Sequence, residues 1–277
     1  MTGMLDPLHI AVMGADWRLN EVLVRNLNHW GYAASIWESS EKSALPAAPV
    51  DVLLFDLDGV EETLLPGGAH ADGWEVGSRP PARLTVALGS QGLRRKALEA
   101  LEAVLFVQKP FDIGVLRGYL MTLGRVLRGE LTQPQAALPT DEPARVLVAD
   151  DDSVLAELIC AMLTKDGRYQ ARAARDGIEV LEACMTWVPH CLVMDMMMPR
   201  MNGFQVLRCL QARPNAERLP VVVLSALTGV EVRPEEFEHP LRAVIEKPLR
   251  SKDLLAAVER VLGMRLAEGS PGSVPVS

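Results

Sequence analysis

Short apolar runs alternate with stretches whose apolar residues recur at helical spacing, and the alternation occurs twice. In the first half His9 to Met13 reads as a strand, and Gly14-Ala15-Asp16 turns into a helix carrying Leu19, Val22, Leu23 and Leu27. Gly31 ends that helix, Ala33 to Trp37 makes a second strand, and Val50 to Phe55 is an apolar strand ending at Asp56. Residues 59 to 83 are rich in Gly, Pro and Ala and leave room for only a short helix. Leu84 to Leu88 is the next strand, Gln91 to Ala103 a helix, and Val104 to Val107 a short strand closed by Lys109-Pro110. Asp112 to Arg128 is a helix with Val115, Leu116, Tyr119, Leu120, Leu123 and Leu127 on or near one face.

The pattern then restarts. Residues 129–143 are polar with three prolines and read as a linker, extended in part. Beyond it come a strand from Arg145 to Ala149 ending at Asp150-Asp151-Asp152, a helix from Val154 to Leu163 and a strand from Tyr169 to Ala173. A helix from Ile178 to Trp187 leads into an apolar strand ending at Asp195, where Pro199, Asn202 and Gly203 turn the chain. Gly203 to Ala212 is helical, Pro220 to Leu224 is a strand ending at Ser225, and Ala243 to Glu246 is a strand ending at Lys247-Pro248. Lys252 to Leu262 is the last helix, and residues 266–277 are expected to be a disordered tail.

The halves fall into register. Gly14 matches Asp150, Asp56 matches Asp195 and Lys109 matches Lys247, at offsets of 136, 139 and 138 residues. Two copies of one β/α module are the economical reading, and 277 residues suit two domains of roughly 100 to 150 residues each. The expected domains are 7–128 and 144–265. Strands alternating with helices imply an α/β fold, each copy a doubly wound, five-stranded parallel sheet with helices on both faces.

Composition narrows the function classes. A net charge of −8 with no basic stripe and no helix-turn-helix pattern argues against nucleic acid. No apolar run approaches the roughly 18 residues of a membrane helix, and Met1-Thr-Gly-Met-Leu-Asp-Pro lacks the order of a signal peptide. Cys160, Cys184, Cys191 and Cys209 form no C-x-x-C pair and read as reduced, mostly buried thiols of a cytoplasmic protein. The five histidines are scattered, so no zinc site is expected.

In a doubly wound sheet the carboxyl ends of the strands share one edge, the edge at which open α/β sheets place ligands. In the second module four strands end there in reactive groups: Asp150 and Asp151, Asp195, Ser225 and Lys247. Carboxylates brought together repel, and a divalent cation relieves the repulsion; hard oxygen ligands with room for water favour Mg²⁺. A carboxylate beside Mg²⁺ and an ammonium can attack a phosphoryl group, because positioning and charge neutralisation are most of what phosphoryl transfer requires. Taken singly, Lys247 would be a solvated surface lysine and Ser225 a strand-end hydroxyl. Asp152 reads as a helix N-cap and the methionine run 196–198 as packing and turn.

Together, V-A-D-D-D at 148–152, D-M-M-M-P-R-M-N-G at 195–203, V-V-V-L-S-A at 221–226 and E-K-P at 246–248 resemble the receiver domain of two-component response regulators, over about residues 144 to 265. The resemblance implies a flavodoxin-like (βα)5 fold. It implies that Asp195 is phosphorylated by a histidine kinase or a histidine phosphotransfer protein, and that the chain is not an enzyme beyond its own phosphorylation and dephosphorylation. It further implies that Asp151 binds Mg²⁺ directly, Asp150 largely through water, and that the Met197 carbonyl completes the set. Ser225 and Lys247 would contact the phosphoryl group, and small Ala226 would leave access to it. Two features depart from the family. Val244 stands where an aromatic is usual, and Gly229, Pro234 and Pro240 make a long helix over 228–240 improbable. Apolar Met197 and Leu227 are expected to position attacking water poorly and so prolong the phosphoryl lifetime.

The first module keeps Asp56 and Lys109-Pro110 but has Gly14-Ala15 in place of the acid pair, and Leu88 or Gly89 at the Ser/Thr position. It resembles a degenerate receiver that is not phosphorylated, with a structural, partner-binding or ligand-sensing role. Trp17 is placed to fill its dead pocket, or else is an ordinary aromatic. A competing reading takes Val52-Leu-Leu-Phe-Asp56-Leu-Asp58-Gly-Val60 as the first motif of a haloacid-dehalogenase-type phosphatase, with Ser90, Lys109 and Asp150-Asp151 as later motifs. A third reading is a scaffold with both modules silent. With no output domain visible, output is expected through contact with a protein partner that the sequence does not name, and a homodimer is left open.

Overall fold

The structure, a computed structural model, describes residues 7–37, 49–58, 80–90, 98, 101–130, 142–165, 167–211, 219–225 and 242–268. The chain divides into two compact units, Met1–Leu127 and Arg128–Ser277.

The first unit is built from β1 (His9–Met13), α1 (Trp17–His29), β2 (Ala33–Ile36), β3 (Val50–Asp56), β4 (Ala82–Gly89), β5 (Leu105–Gln108) and α2 (Ile113–Leu127). Its five strands are all parallel, in the order β2-β1-β3-β4-β5. The order reverses between β1 and β3, and that switch point opens a crevice at the carboxyl ends. Met13, Phe55 and Leu88 are buried at those ends. The apolar face of α1 is narrower than its sequence implies: Leu23 and Leu27 are buried, but Val22 is half exposed. In α2 the buried row is Leu116, Leu120, Leu123 and Leu127, while Val115 faces out. Asp16 caps α1, its carboxylate accepting from the amides of Arg18 (3.0 Å) and Leu19 (3.3 Å).

The second unit repeats the plan: β6 (Ala144–Ala149), α3 (Ser153–Thr164), β7 (Tyr169–Ala174), α4 (Gly177–Thr186), β8 (Cys191–Asp195), α5 (Gly203–Gln211), β9 (Val221–Ser225), β10 (Arg242–Glu246) and α6 (Ser251–Glu268). Its parallel sheet runs β10-β9-β8-β6-β7, the same order read from the other edge. Val146, Val148, Val193, Val222 and Leu224 face one core with Ile159 and Leu163 of α3 and Leu254, Val258 and Val261 of α6. Asp152 is the α3 N-cap, accepting from Val154 (3.0 Å) and Leu155 (3.1 Å) amides, as the sequence implies.

Strand ends lie within a residue or two of the expected ones, but two features differ from the reading. The last helix continues to Glu268, past residue 266, where a disordered tail was expected to start. Trp17 is 60% exposed, with the Arg18 guanidinium over its ring, and it fills no pocket. The short helix expected within 59–83, most of the helix over 91–103, most of the linker and the segment 228–240 fall outside the described residues, as do residues 269–277.

Candidate functional site

Register brings the reactive residues of the second unit to one edge. Ala149 pairs with Met194, Asp195 with Leu224, and Ser225 with Glu246, so β6, β8, β9 and β10 end level. Asp150 follows β6 and is 1% exposed; Asp195 closes β8 and is 8% exposed. Asp151 is exposed. Oxygens of Asp150, Asp151 and Asp195 lie within 4.8 Å of one another, a spacing that one small cation can span.

Lys247 enters from the turn after β10. Its Nζ donates to Asp150 Oδ2 (2.8 Å) and to Asp195 Oδ2 (2.5 Å). Burial, the largest single influence, would lower the pKa of this ammonium. The hydrogen bonds and charges of Asp150 and Asp195 together outweigh it and hold the pKa above the ordinary 10.5. The Lys247 amide donates to the Ser225 carbonyl (2.8 Å), fixing the turn to the end of β9. Asp195 Oδ1 accepts the Met197 amide (2.8 Å), and Asp150 Oδ1 accepts the Asp152 amide (3.0 Å). Each carboxylate is thus oriented by its own following turn.

The chain behind Asp195 is packed tightly. Met196, Met198 and Met201 are buried, while Met197 points outward and is 53% exposed. A Cβ on Gly203 would come within 2.7 Å of Met196 Sδ and 2.9 Å of the Asp195 carbonyl oxygen, so only glycine lets α5 start this close to the strand. The methionine run is packing and turn. Arg200 forms an ion pair with buried Asp176, which also caps α4. Ala226 and Leu227 lie outside the described residues.

The first unit brings Asp56, Asp58, Ser90 and Lys109 together. Lys109 Nζ lies 2.6 Å from Asp56 Oδ1 and 3.1 Å from Asp58 Oδ2. Asp56 pairs with Leu88 in register, as Asp195 pairs with Leu224, so the residue matching Ser225 is Gly89 and the choice between Leu88 and Gly89 is settled. Gly14 sits against Asp56: a Cβ there would lie 2.5 Å from the Asp56 Cβ. Asn20 was not singled out by sequence. It is 3% exposed, its Nδ2 donates to the Gly14 carbonyl (2.8 Å), and its Oδ1 and Asp56 Oδ2 are buried without a hydrogen-bond partner. A polar residue on the same helical face as Leu23 and Leu27 was the signal.

The phosphatase reading needs Asp150 and Asp151 beside Asp56. Asp150 is instead bound by Lys247, and both acids cluster with Asp195 inside the second unit. Among the described residues no helix is long and apolar enough to cross a membrane.

Comparison with known proteins places the second unit. Residues 146–259 match the family described as the response regulator receiver domain. A response regulator MprA from Mycobacterium sp. (strain KMS) is 33% identical over 131 residues, 47% of this chain and 56% of that protein. The response regulator MprA of Mycobacterium ulcerans (strain Agy99) is 36% identical over 118 residues, 43% of this chain and 50% of its own. The match therefore spans about half the length of these curated relatives. Among solved structures, a response regulator receiver protein from Sinorhizobium medicae WSM419 aligns at 27% identity over 45% of this chain and 98% of its own, with a TM-score of 0.38. The receiver domain of the Francisella response regulator 1452 aligns at 30% identity over 44% and 98%, with a TM-score of 0.39. Residues 146–259 thus match the response regulator receiver domain, and the second unit of this chain is similar to the receivers of two-component response regulators.

Proposed function

We propose that the chain accepts a phosphoryl group on Asp195 from a phosphohistidine donor and signals through contact with a protein partner. It comprises two flavodoxin-like receiver domains, 7–128 and 144–265, joined by the linker 129–143, and only the second takes a phosphoryl group. The observation that carries this reading is the convergence of Asp150, Asp151, Asp195 and Lys247, with three carboxylates within 4.8 Å and one ammonium on two of them. The donor is a histidine kinase or a histidine phosphotransfer protein, and the setting is the cytoplasm.

The donor set suits Mg²⁺, with Asp151 and Asp195 as direct ligands, Asp150 largely through water, and the Met197 carbonyl. When bound, the metal would neutralise charge on the phosphoryl oxygens. An Asp195 carboxylate oxygen attacks phosphorus, the phosphorus–nitrogen bond breaks, and the imidazole leaves with its electron pair. Lys247 follows the charge from the Asp195 carboxylate to the phosphoryl oxygens, and the Ser225 hydroxyl donates to one of them. Asp150 keeps Lys247 in place meanwhile.

Intact-mass spectrometry after incubation with acetyl phosphate and Mg²⁺ tests this, with wild type, Asp195→Ala and Asp56→Ala in parallel. One phosphoryl adduct is expected, absent in Asp195→Ala and retained in Asp56→Ala. An adduct that depends on Asp56, or none in the wild type, overturns the proposal.

A further inference from the structure

The first unit holds an anion of its own. Two residues after Asp56, the carboxylate of Asp58 accepts from three donors: Oδ1 takes the Ser90 amide (2.8 Å), and Oδ2 takes the Ser90 hydroxyl (2.6 Å) and Lys109 Nζ (3.1 Å). A hydroxyl just past β4, a backbone amide beside it and an ammonium just past β5 are the kinds of group that grip a tetrahedral oxyanion. Here they grip a carboxylate.

The second unit shows what the backbone provides. The Met197 amide bonds Asp195 Oδ1 at 2.8 Å, and the Asp58 amide bonds Asp56 Oδ1 at 3.0 Å. The Lys247 amide bonds the Ser225 carbonyl, and the Lys109 amide bonds the Gly89 carbonyl (2.7 Å). The two turns therefore launch their second side chain from corresponding places. In one unit that side chain is an apolar, exposed Met197; in the other it is Asp58, folded back onto the donors.

We propose that Asp58 permanently occupies the oxyanion-gripping donors of the first unit, so that Ser90 and Lys109 are held in one arrangement without any phosphoryl donor. The ligand class that these donors would otherwise take is an inorganic or acyl phosphate. The inference rests on the reading of the first unit as a silent receiver.

The test uses the full chain in EDTA, comparing wild type, Asp58→Ala and Asp58→Asn. The readouts are Lys109 acetylation by a water-soluble acylating reagent, followed by peptide mass spectrometry, and hydrogen exchange at the Ser90 amide, each with and without inorganic phosphate. In wild type both sites are protected and phosphate changes neither. In Asp58→Ala the Ser90 amide exchanges several-fold faster, Lys109 becomes more reactive by a smaller factor because Asp56 still holds it at 2.6 Å, and phosphate restores the protection of both. Asp58→Asn preserves the shape of the turn should the alanine variant fold poorly, and it exposes Lys109 in the same direction. Equal Lys109 and Ser90 reactivity in wild type and both variants overturns the proposal, as does phosphate protection of the wild type. A phosphoryl adduct on Asp56, mapped in a separate Mg²⁺ and acetyl phosphate incubation, would instead overturn the reading of the first unit as silent.

Discussion

Lys247 Nζ donates to Asp195 Oδ2 across 2.5 Å, and the two residues are 52 positions apart in the chain. The first unit repeats the pairing, with Lys109 on Asp56 at 2.6 Å across 53 positions. The lysine therefore belongs to the resting geometry of both edges. In the second unit its ammonium also bonds Asp150, so it ties together two carboxylates that would otherwise repel.

Removing that ammonium should affect chemistry and stability differently. Lys247→Met is expected to slow phosphoryl uptake on Asp195 by about 10²-fold, the typical cost of losing one preorganised donor at developing charge. Intact-mass time courses with acetyl phosphate check this, and uptake within a factor of about two of wild type would remove Lys247 from the transfer step.

The alkaline limb follows from the raised Lys247 pKa. A cation whose folded pKa exceeds its unfolded value stabilises fully below the unfolded value and loses that contribution as pH rises through the folded one. The difference in melting temperature between wild type and Lys247→Met should therefore stay level from neutral pH up to the ordinary 10.5, and shrink only above it. A difference already closing near neutrality would contradict the double carboxylate contact.

The acid limb belongs to Asp58. Burial is the largest influence on this carboxyl and pushes its pKa up. The Ser90 hydroxyl and amide and the Lys109 ammonium together prevail and hold it below the ordinary 3.8. Its contribution is present above the unfolded pKa and disappears as pH falls through the lower folded value. Thermal melts of Asp58→Asn should match wild type least near neutrality and converge with it in strong acid. The effect should weaken in salt, because the contact is partly exposed.

Much of this was legible in sequence because the signals are local. Apolar runs ending in Asp150, Asp195, Ser225 and Lys247 placed each residue at a strand end, and parallel topology then placed all four on one edge. Register could not be read: Leu88 and Gly89 stayed equivalent until the pairing of Asp56 with Leu88 fixed the alignment. Nor could side-chain direction. Trp17 follows the turn toward the pocket yet points into solvent, and Asn20, one turn from Leu23, is the residue that goes in. Asp58 was visible as an acid two residues past Asp56, but its grip on Ser90 spans 32 positions and no local pattern encodes it.

Gly203→Ala should lower stability with little effect on the unmutated carboxylates. The added Cβ meets the Asp195 carbonyl oxygen at 2.9 Å, a backbone atom that cannot swing aside. A loss of about 1 to 3 kcal/mol in denaturant melts is expected, the usual range for overpacking. A variant as stable as wild type would mean that α5 can shift away from β8 without cost.

Met197 sets the expectation for how long the phosphoryl group lasts. Its backbone amide holds Asp195 Oδ1, so its side chain starts beside the proposed acceptor carboxylate, and it is 53% exposed. Hydrolysis needs a water in line with the acyl–phosphorus bond, and a thioether is too weak an acceptor to orient one. Leu227, the other residue read as flanking that water, lies outside the described residues. The purified phosphoprotein should decay over minutes or longer, followed by intact mass after removal of donor. Met197→Asn should shorten the lifetime several-fold while leaving the extent of uptake unchanged, because an amide can hold the water that methionine cannot. A wild-type half-life of seconds would show that water is positioned by something other than the residue two past the aspartate.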